Sequence, residues 1–515
     1  MPKVQKMDKN NRKSIVNMDN VIYNDLAEAE KNSFFGSRGG NYSLHYNNRG
    51  GKLKVKKKLL SVLLSTAMVA ALLAGCNKNT TSETPAGSEV VTSQVPGGAG
   101  EVVDVETLED TGDTLTIYVW NEEWLGFFEK YMPNYTRDND ADPLAGHLGD
   151  LPVVWVENAS TDNVYQTKLD EALKDDSADV DIFLVEADYA GKYTVPGIAK
   201  PLGELGITDA DLADQFPYTQ QVVTTDGVLY GSSWQTCGAG MIYNREIAKD
   251  VLGTDDPDEV QAKVSTWEDY QKVAADMKAK GYLMTPRASS TYRVFSNNVS
   301  SGWIKDGEIN LDPNIKKWVD MSKEMVEAGQ TKTGDLWDAG DTYTKNTTFC
   351  VFGPAWFFNF CMGVDDPNSI AAKGGWGLCA GPQAHYWGGT WVCVADKSDN
   401  LATAADIVKT MTLDKDVLTK LVENENQDCN SKELAEKYAN DATFGNSILG
   451  GQNPYTIFAA AIDDIDVSTM SQYDQQFNET FQTYMDDYFD GKLTYDEAYE
   501  KFETAVKEKV PVLNN

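Results

Sequence analysis

"VDIFLVEADYAGKY", residues 180–193, is the stretch that decides the fold. It opens with a short unbroken apolar run rich in β-branched residues, which predicts a strand buried on both faces. Polar and aromatic side chains follow the run at once, at Glu186, Asp188 and Tyr189. The stretch therefore predicts a buried strand whose carboxyl end presents carboxylates beside an aromatic ring.

Two similar runs precede this strand, at 115–120 and 151–156. Between the second and third runs, residues 161–176 have helical periodicity, with a cap predicted near Thr161 or Asp162. Alternation of buried strands with helices predicts an α/β fold in which helices flank a mixed, mostly parallel sheet.

Ligands of open α/β sheets bind beyond the carboxyl ends of the strands. The loops after the first and third strands are therefore candidate binding segments. Their candidate ligand-binding residues are Trp120, Asn121, Glu122, Glu123, Trp124, Asp188 and Tyr189.

The sequence predicts two further helices from capping motifs at their starts and from glycine or proline at their ends. Residues 265–281 combine a predicted capping box at Ser265 and Glu268 with a glycine stop. Residues 494–511 repeat this pattern with Thr494 and Glu497 and end on a proline.

The charge of the 515-residue chain is strongly uneven, with a formal net charge of −34. Residues 1–75 carry 13 basic and five acidic residues, so residues 76–515 carry 32 basic and 74 acidic ones. A field this negative repels phosphate backbones, and no basic stripe interrupts it. We therefore expect no nucleic-acid partner.

The seven cysteines contain no C-x-x-C pair, which argues against zinc ribbons and thioredoxin-like sites. We expect no metal and no cofactor. The six cysteines after Cys76 could form disulfides in an oxidising compartment, but their spacing favours buried thiols.

Residues 55–75 read as a secretory signal, because a lysine run precedes an apolar segment that ends on small residues. The segment is short for a transmembrane helix, which is the alternative. Leu73-Ala74-Gly75-Cys76 resembles a bacterial lipoprotein box, which implies lipidation of Cys76. Residues 76–113 then form the lipidated cysteine and a polar tether, predicted to be flexible from its composition.

Residues 1–54 are polar and without pattern, and they would place the signal unusually far into the chain. We expect synthesis to begin at Val55, which leaves residues 1–54 untranslated or, if made, disordered. Peptides from 1–54 detected in cells by mass spectrometry would contradict this expectation.

Catalytic signatures are weak in this chain. It has three histidines and no G-x-S-x-G elbow, H-E-x-x-H motif or P-loop. The paired carboxylates Glu122, Glu123, Glu186 and Asp188 could hydrolyse a glycosidic bond, although carboxylates that accept sugar hydroxyls look the same in sequence. We expect a non-enzyme, with a surface glycoside hydrolase or lyase as the alternative.

All twelve tryptophans lie between residues 120 and 391, many near strand ends or glycine-rich turns. A flat ring stacks on the C–H face of a sugar while nearby polar groups fix its hydroxyls. The alternative is that each ring is core. The tryptophans near strand ends or turns, taken as candidates for ligand stacking, are Trp120, Trp124, Trp234, Trp303, Trp356, Trp387 and Trp391.

Four motifs, in this order along the chain, resemble family 1 extracellular solute-binding proteins, the maltose-binding-protein-like carbohydrate receptors of ABC importers. They are VDIFLVEADYAGKY, GVLYGSSWQTCGAGMIYNREI, FCVFGPAW and YWGGTWVCVADKS. The resemblance covers about residues 114–512 and implies a two-lobed periplasmic-binding-protein-like fold of class II with the ligand between the lobes. It places lobe 1 at 114–235 and 393–446, and lobe 2 at 236–392 and 447–515.

The resemblance also implies positions of the ligand site. Asp188 matches an acidic sugar ligand and Trp356 an aromatic platform, while Gln235-Thr236-Cys237 departs from the glutamate of the maltose receptor, which puts maltose in doubt. Glycines at 238, 240, 388 and 389 are expected hinge positions. The other implied ligand residues are Trp234, Gln235, Arg287, Ser289, Tyr292, Trp387, Thr390, Trp391, Gln452 and Tyr455.

The resemblance and the lipoprotein box together predict a lipid-anchored oligosaccharide receptor of Gram-positive type. It would sit on the extracellular face of the cytoplasmic membrane, held there by its lipid alone, and deliver sugar to ABC permease subunits as a monomer. A structural or adhesive lipoprotein is the third alternative, and the α/β pattern argues against it.

Overall fold

The computed structural model describes residues 97–139, 142–463 and 465–514. The predicted signal peptide, Cys76 and residues 1–54 lie outside the described residues. Among the residues described, no helix combines the length and apolarity that crossing a membrane requires.

Fourteen strands lie in the described residues, several of them only two residues long. Their bounds are β1 Leu115–Val119, β2 Tyr135–Asn139, β3 Asp142–Leu148, β4 Leu151–Glu157, β5 Ile182–Glu186, β6 Thr224–Thr225, β7 Val228–Leu229, β8 Gly238–Asn244, β9 Ile304–Lys305, β10 Glu308–Ile309, β11 Cys350–Gly353, β12 Trp376–Cys379, β13 His385–Tyr386 and β14 Thr390–Val394.

The α-helices of the described residues range from single turns to four turns. Their bounds are α1 Glu123–Tyr131, α2 Val164–Lys174, α3 Ala190–Tyr193, α4 Asp209–Leu212, α5 Pro217–Gln221, α6 Arg245–Leu252, α7 Pro257–Lys263, α8 Trp267–Ala279, α9 Tyr292–Ser296, α10 Pro313–Glu327, α11 Asp341–Thr344, α12 Ala355–Cys361, α13 Leu401–Thr412, α14 Lys415–Glu425, α15 Lys432–Ala439, α16 Tyr455–Ile462, α17 Asp474–Phe489 and α18 Tyr495–Lys509.

Lobe 1 is built on a six-stranded sheet of order β14-β5-β1-β4-β3-β2. The central strand β1 runs parallel to β4 and β5, as the strand–helix–strand pattern predicts. The remaining pairs in this sheet are antiparallel. The core on this sheet draws on the chain up to Trp234 and again from Tyr386 onward.

Lobe 2 is built on a smaller sheet in which β8 is flanked by β11 and β12, with β13 pairing to its start. Every one of these pairs is antiparallel. The prediction of a mostly parallel sheet is therefore wrong for this lobe. Short strands of this kind carry no strand–helix–strand signal, so the sequence pattern could not show their direction.

The predicted lobe boundary at residue 393 falls too late in the chain. Strand β14 begins at Thr390 and pairs with β5 along its whole length, so residues 390–392 belong to lobe 1. The ring of Trp391 is 1% exposed in the lobe 1 core.

The predicted tether is shorter than its composition indicates, because residues 97–113 lie against lobe 1. The Ala99 amide donates to Asp209 Oδ1 at 2.7 Å, and the Thr111 amide donates to the Asp399 carbonyl at 2.7 Å. These contacts join residues more than a hundred positions apart, so a local composition rule missed them.

Three of the helices have N-caps that the sequence predicted, and the structure agrees with these predictions to different degrees. The capping box of Thr494 and Glu497 is present at the start of α18. The cap of α8 is Thr266, one residue after the predicted Ser265. Helix α2 begins after a 3-10 turn, and its N-cap position, Asn163, is left-handed and makes no side-chain cap bond, so the predicted cap at Thr161 or Asp162 is wrong.

The six described cysteines are free thiols, and five of them are buried. Burial raises the pKa of Cys379 and Cys429 to about 12. The interpretation of these residues as buried thiols rather than disulfides is thus confirmed.

Candidate functional site

The carboxyl edge of the lobe 1 sheet forms one wall of the candidate site. Strands β1 and β5 are parallel neighbours, so Trp120 and Glu186 lie at the same edge. Strand β14 enters this edge in the opposite direction and places Thr390 opposite Glu186. The edge therefore collects groups from three distant stretches of sequence, as the position of the loops predicted.

A bidentate ion pair joins the two lobes at this edge. Asp188 follows β5 in lobe 1, and Arg293 lies on α9 in lobe 2. Arg293 Nη1 donates to Asp188 Oδ1 at 2.6 Å, and Nη2 donates to Oδ2. Asp188 is 8% exposed, so loss of Arg293 would leave a buried carboxylate without its partner.

More carboxylates than cations surround Arg293. Burial, with a contribution from Asp188, raises the pKa of Glu186 well above its usual range. Burial also raises the pKa of Asp474 to about 7. Arg293 opposes both shifts, so this guanidinium compensates several buried acids at once.

A second contact between the lobes lies next to the ion pair. Gln166 of α2 donates to Gln475 Oε1 of α17 at 2.7 Å, and Gln475 Nε2 donates to Asn163 Oδ1 at 2.8 Å. The lobes are therefore joined by polar contacts that can form only when the two lobes approach each other.

The opposite wall of the site is aromatic and comes from lobe 2. Trp356, at the start of α12, packs edge to face on Trp387, with ring centroids 5.2 Å apart. A Cβ on Gly388 would lie 3.5 Å from Glu186 Oε1 and 3.6 Å from Trp356 Nε1. The carboxylate of one lobe and the ring of the other thus both lie close to this glycine, whose φ of +72° favours glycine.

The chain crosses from lobe 1 to lobe 2 at residues 235–237, where a buried carboxylate holds it. Asp428 Oδ2 accepts from the Cys237 amide at 2.5 Å, from the Thr236 amide at 3.1 Å and from the Thr236 hydroxyl. Cys237 has a φ of +56°, which is strained for a side chain other than glycine. Asp428 therefore stabilises an unfavourable backbone at the crossing.

Glu123 lies beside this crossing, at the start of α1. Gln427 Nε2 donates to Glu123 Oε1 at 3.1 Å. Burial and the nearby Asp428 raise the pKa of Glu123 to about 7, although the bond from Gln427 opposes the shift. Asp428 Oδ1 and Gln427 Oε1 are buried with no protein partner among the described residues, so acceptors for ligand hydroxyl groups remain.

The raised pKa of Glu123 predicts a pH effect. The folded state keeps the Glu123 proton up to about pH 7, whereas the unfolded chain releases it near pH 4.5. This contribution to stability is thus present below pH 4.5 and lost as the pH rises through 7, by about 3 kcal/mol. Glu123→Gln should therefore gain stability relative to the wild type between pH 5 and pH 9 in denaturant unfolding. Glu259→Gln, on an exposed residue of α7, is the control and should follow the wild type at every pH.

Several predicted ligand residues are core residues in the structure. Their rings are at most 7% exposed and pack against other aromatic rings or donate to buried acceptors, so no face is left for a ligand. They are therefore core residues and not candidates for contact with a ligand. They are Trp124, Tyr189, Trp234, Tyr292, Trp303 and Trp391.

Other predicted ligand residues use their polar atoms within the protein. Gln452 makes two bonds to the Leu378 backbone, and the Tyr455 hydroxyl donates to the Gln427 carbonyl. Gln235 Oε1 accepts from the Cys237 thiol, and Asn121 Oδ1 accepts from the Glu123 amide.

Three other predicted residues lie at or beyond the edges of the candidate site. Arg287 donates to the carbonyls of Asp335 and Asp338 in lobe 2. Glu122 is exposed to solvent, and the buried Ser289 hydroxyl has no partner among the described residues.

Sequence reasoning missed four residues that the structure brings to the site: Arg293, Trp337, Gln427 and Asp428. Arg293 lies one residue after the predicted Tyr292. Trp337 lies between Gly334 and Gly340, a signal that could have placed it among the candidate stacking rings. Asp428 is 192 residues from Thr236, and no local signal links them.

The family comparison agrees with this architecture. A family model of bacterial extracellular solute-binding proteins matches residues 146–427, which is more than half of the chain. The chain belongs to this family. The resemblance to family 1 extracellular solute-binding proteins is thereby confirmed, and so is the expectation of a binding protein rather than an enzyme. No curated protein matches the chain.

Solved structures share the two-lobed fold of this solute-binding protein at low sequence identity. An extracellular solute-binding protein of family 1 has a TM-score of 0.63 at 18% identity, over 77% of this chain and 99% of that one. An ABC-transporter-associated binding protein from B. animalis subsp. lactis, in complex with β-1,6-galactobiose, has a TM-score of 0.59 at 18% identity, over 77% and 97%. An ABC substrate-binding protein from Listeria monocytogenes, in complex with cycloalternan, has a TM-score of 0.57 at 16% identity, over 77% and 99%.

Proposed function

We propose that this solute-binding protein is the carbohydrate receptor of an ABC importer and binds an oligosaccharide between its lobes. The observation that carries the proposal is the pairing of Trp356 and Trp387 from lobe 2 with Glu186 and Asp188 from lobe 1. An aromatic face suits the apolar side of a pyranose ring, and carboxylates accept its hydroxyl groups.

The proposed ligand set combines predicted residues with residues that only the structure brings in. Trp120, Glu123 and Asp188 form the lobe 1 side of the set together with Glu186, Gln427 and Asp428. Trp356 and Trp387 form the lobe 2 side. Fold relatives from other bacteria hold β-1,6-galactobiose, cycloalternan, α-D-tagatose and D-mannitol, which supports a carbohydrate as the ligand class.

The proposed mechanism is lobe closure. Ligand stabilises the closed form because it contacts groups of both lobes, and the closed form is the one that permease subunits would recognise. The lipoprotein box at Cys76 supports anchoring of the receptor, proposed to be a monomer, to the extracellular face of a Gram-positive membrane.

Thermal unfolding with linear oligosaccharides tests this proposal. The panel contains malto-, cello-, xylo-, manno- and galacto-oligosaccharides. A ligand at 1,000 times its Kd should stabilise the protein by about 4 kcal/mol, which gives a clear rise in Tm. The proposal expects at least one series to raise the Tm, with the sugar recovered uncut. If none of the series does so, the ligand is not of this class.

Variants of Trp356 make the test specific to the site. Trp356→Ala should weaken binding of the responding series about 10- to 100-fold, because it removes the stacking face. Trp356→Phe keeps an aromatic face and should retain most of the affinity. Equal affinity of Trp356→Ala and the wild type would place the sugar elsewhere.

A further inference from the structure

An exposed aromatic surface continues outward from the proposed sugar site. We call it the outer aromatic patch, and it consists of Trp337, Trp356, Phe360 and Trp387. Trp337 is 51% exposed and Phe360 is 45% exposed. No other tryptophan or phenylalanine among the described residues is exposed to this degree. The Trp337 ring lies 6.5 Å from that of Trp356 at an interplanar angle of 24°, and 6.1 Å from that of Trp387. The patch is therefore a continuation of the two rings at the site.

The backbone that carries Trp337 is fixed despite the exposure of the ring. Trp337 lies in the 3-10 turn Leu336–Asp338, where Asp335 Oδ1 accepts from the Trp337 amide at 3.0 Å. Arg287 donates from Nε to the Asp335 carbonyl at 3.0 Å and from Nη2 to the Asp338 carbonyl at 3.2 Å. Arg287 thus closes the two ends of the turn.

The segment just before this turn is bonded to the last turn of helix α17 and to Asp490, the residue after it. The Gly334 amide donates to Asp486 Oδ2 at 2.9 Å, and the Thr333 hydroxyl donates to Asp490 Oδ1 at 2.6 Å. These contacts fix the backbone beneath a large exposed apolar ring, so covering the ring costs little backbone freedom on binding.

We propose that Trp337 is a stacking platform for sugar units that extend beyond Trp356 and Trp387, and that Arg287 positions it. The inference rests on the proposed function and adds the ligand's length: chains of three or more units gain contacts that a disaccharide does not reach. Asp335 and Asp338, which flank Trp337 closely in sequence, are exposed, so their carboxylates can accept hydroxyl groups. Acceptors beside an exposed ring suit a sugar better than an apolar protein surface.

Isothermal titration with chains of two to five units tests the inference. The probes are the malto-, cello-, xylo-, manno- and galacto-oligosaccharide series. For a series that binds, the wild-type affinity should rise from two units to four. Trp337→Ala should bind the disaccharide within about twofold of the wild type but the longer chains at least tenfold more weakly. Val164→Ala, on an exposed apolar residue of lobe 1, is the control and should match the wild type at every length.

Variants of Arg287 test the positioning role. Arg287→Ala should reproduce the length-dependent loss of Trp337→Ala, and Arg287→Lys should restore part of it. General damage to the fold would weaken all lengths equally, so the dependence on length separates the two explanations.

Three results would overturn the inference. Equal loss at every length, or no loss at any, would show that Trp337 does not contact the extended chain, while the proposed function would stand. Unchanged sugar affinities with altered self-association or altered permease-coupled ATP hydrolysis would make the patch a protein-docking surface. Failure of every series to bind the wild type would overturn the proposed function and this inference with it.

Discussion

Arg293→Met is expected to lower the affinity for the responding oligosaccharide by 100-fold or more. Truncation of one partner of a buried ion pair costs about 3–5 kcal/mol, because the other charge stays buried and unpaired. Here the loss leaves Asp188 facing Glu186 and Asp474, two further acids that Arg293 compensates. The closed form that carries the pair therefore loses most of its advantage over an open form.

In this variant the free energy of unfolding should fall by much less than the free energy of sugar binding. Asp188 and Arg293 belong to different lobes, so opening of the lobes returns the unpaired carboxylates to water without unfolding either core. At a sugar concentration that saturates the wild type, small-angle scattering should show a larger radius of gyration for the variant than for the wild type. A full loss of unfolding free energy with unchanged affinity would contradict a role in closure.

Lys272→Met is the matched control for the ion pair. Lys272 pairs with Asp269 at 2.8 Å on the exposed face of α8, with 74% of the lysine side chain exposed. An exposed pair contributes about 0–1 kcal/mol. This variant should keep the wild-type affinity and scattering curve.

Asp428→Ala is expected to lower the free energy of unfolding by about 3–5 kcal/mol, because each buried backbone N–H left without a partner costs about 1–3 kcal/mol. The substitution removes the acceptor of the Thr236 and Cys237 amides. It also removes the contact that holds Cys237 in its left-handed conformation, at a φ of +56°. Denaturant unfolding at pH 7 measures the effect.

Asp428→Asn separates hydrogen bonding from charge. The asparagine carbonyl can accept the same backbone bonds without carrying a charge. Burial raises the pKa of Asp428, whereas the bonds from Thr236 and Cys237 oppose that shift. We expect this variant to retain more than half of the stability that alanine loses. An equal loss in both variants would mean that the charge, and not the acceptor, stabilises the crossing.

The sequence predicted those features of this protein whose physical cause is local. The buried strand at 182–186 and the strands parallel to it follow from short apolar runs separated by a helix. The cap of α18 follows from Thr494 and Glu497, which are three residues apart and bond to each other's backbone. The order of four motifs was enough to indicate the family.

The tryptophans show where local reasoning ends. Trp124, Trp234 and Trp391 follow the same pattern of strand ends and turns as Trp356 and Trp387, yet the first three are 1% exposed. Whether a ring packs into a core or faces a cleft depends on which elements approach it from elsewhere in the chain. A ring's own neighbours in sequence do not determine that approach.

The sequence by itself determined the fold class, the acidic character and the kind of side chain at the carboxyl ends of the strands. Only the tertiary structure decided which of those side chains meet. The Asp188–Arg293 pair spans 105 residues, and the bond from Thr236 to Asp428 spans 192. Such contacts form because two lobes, each made from separate stretches of chain, bring their edges together, and no periodicity within one stretch encodes that meeting.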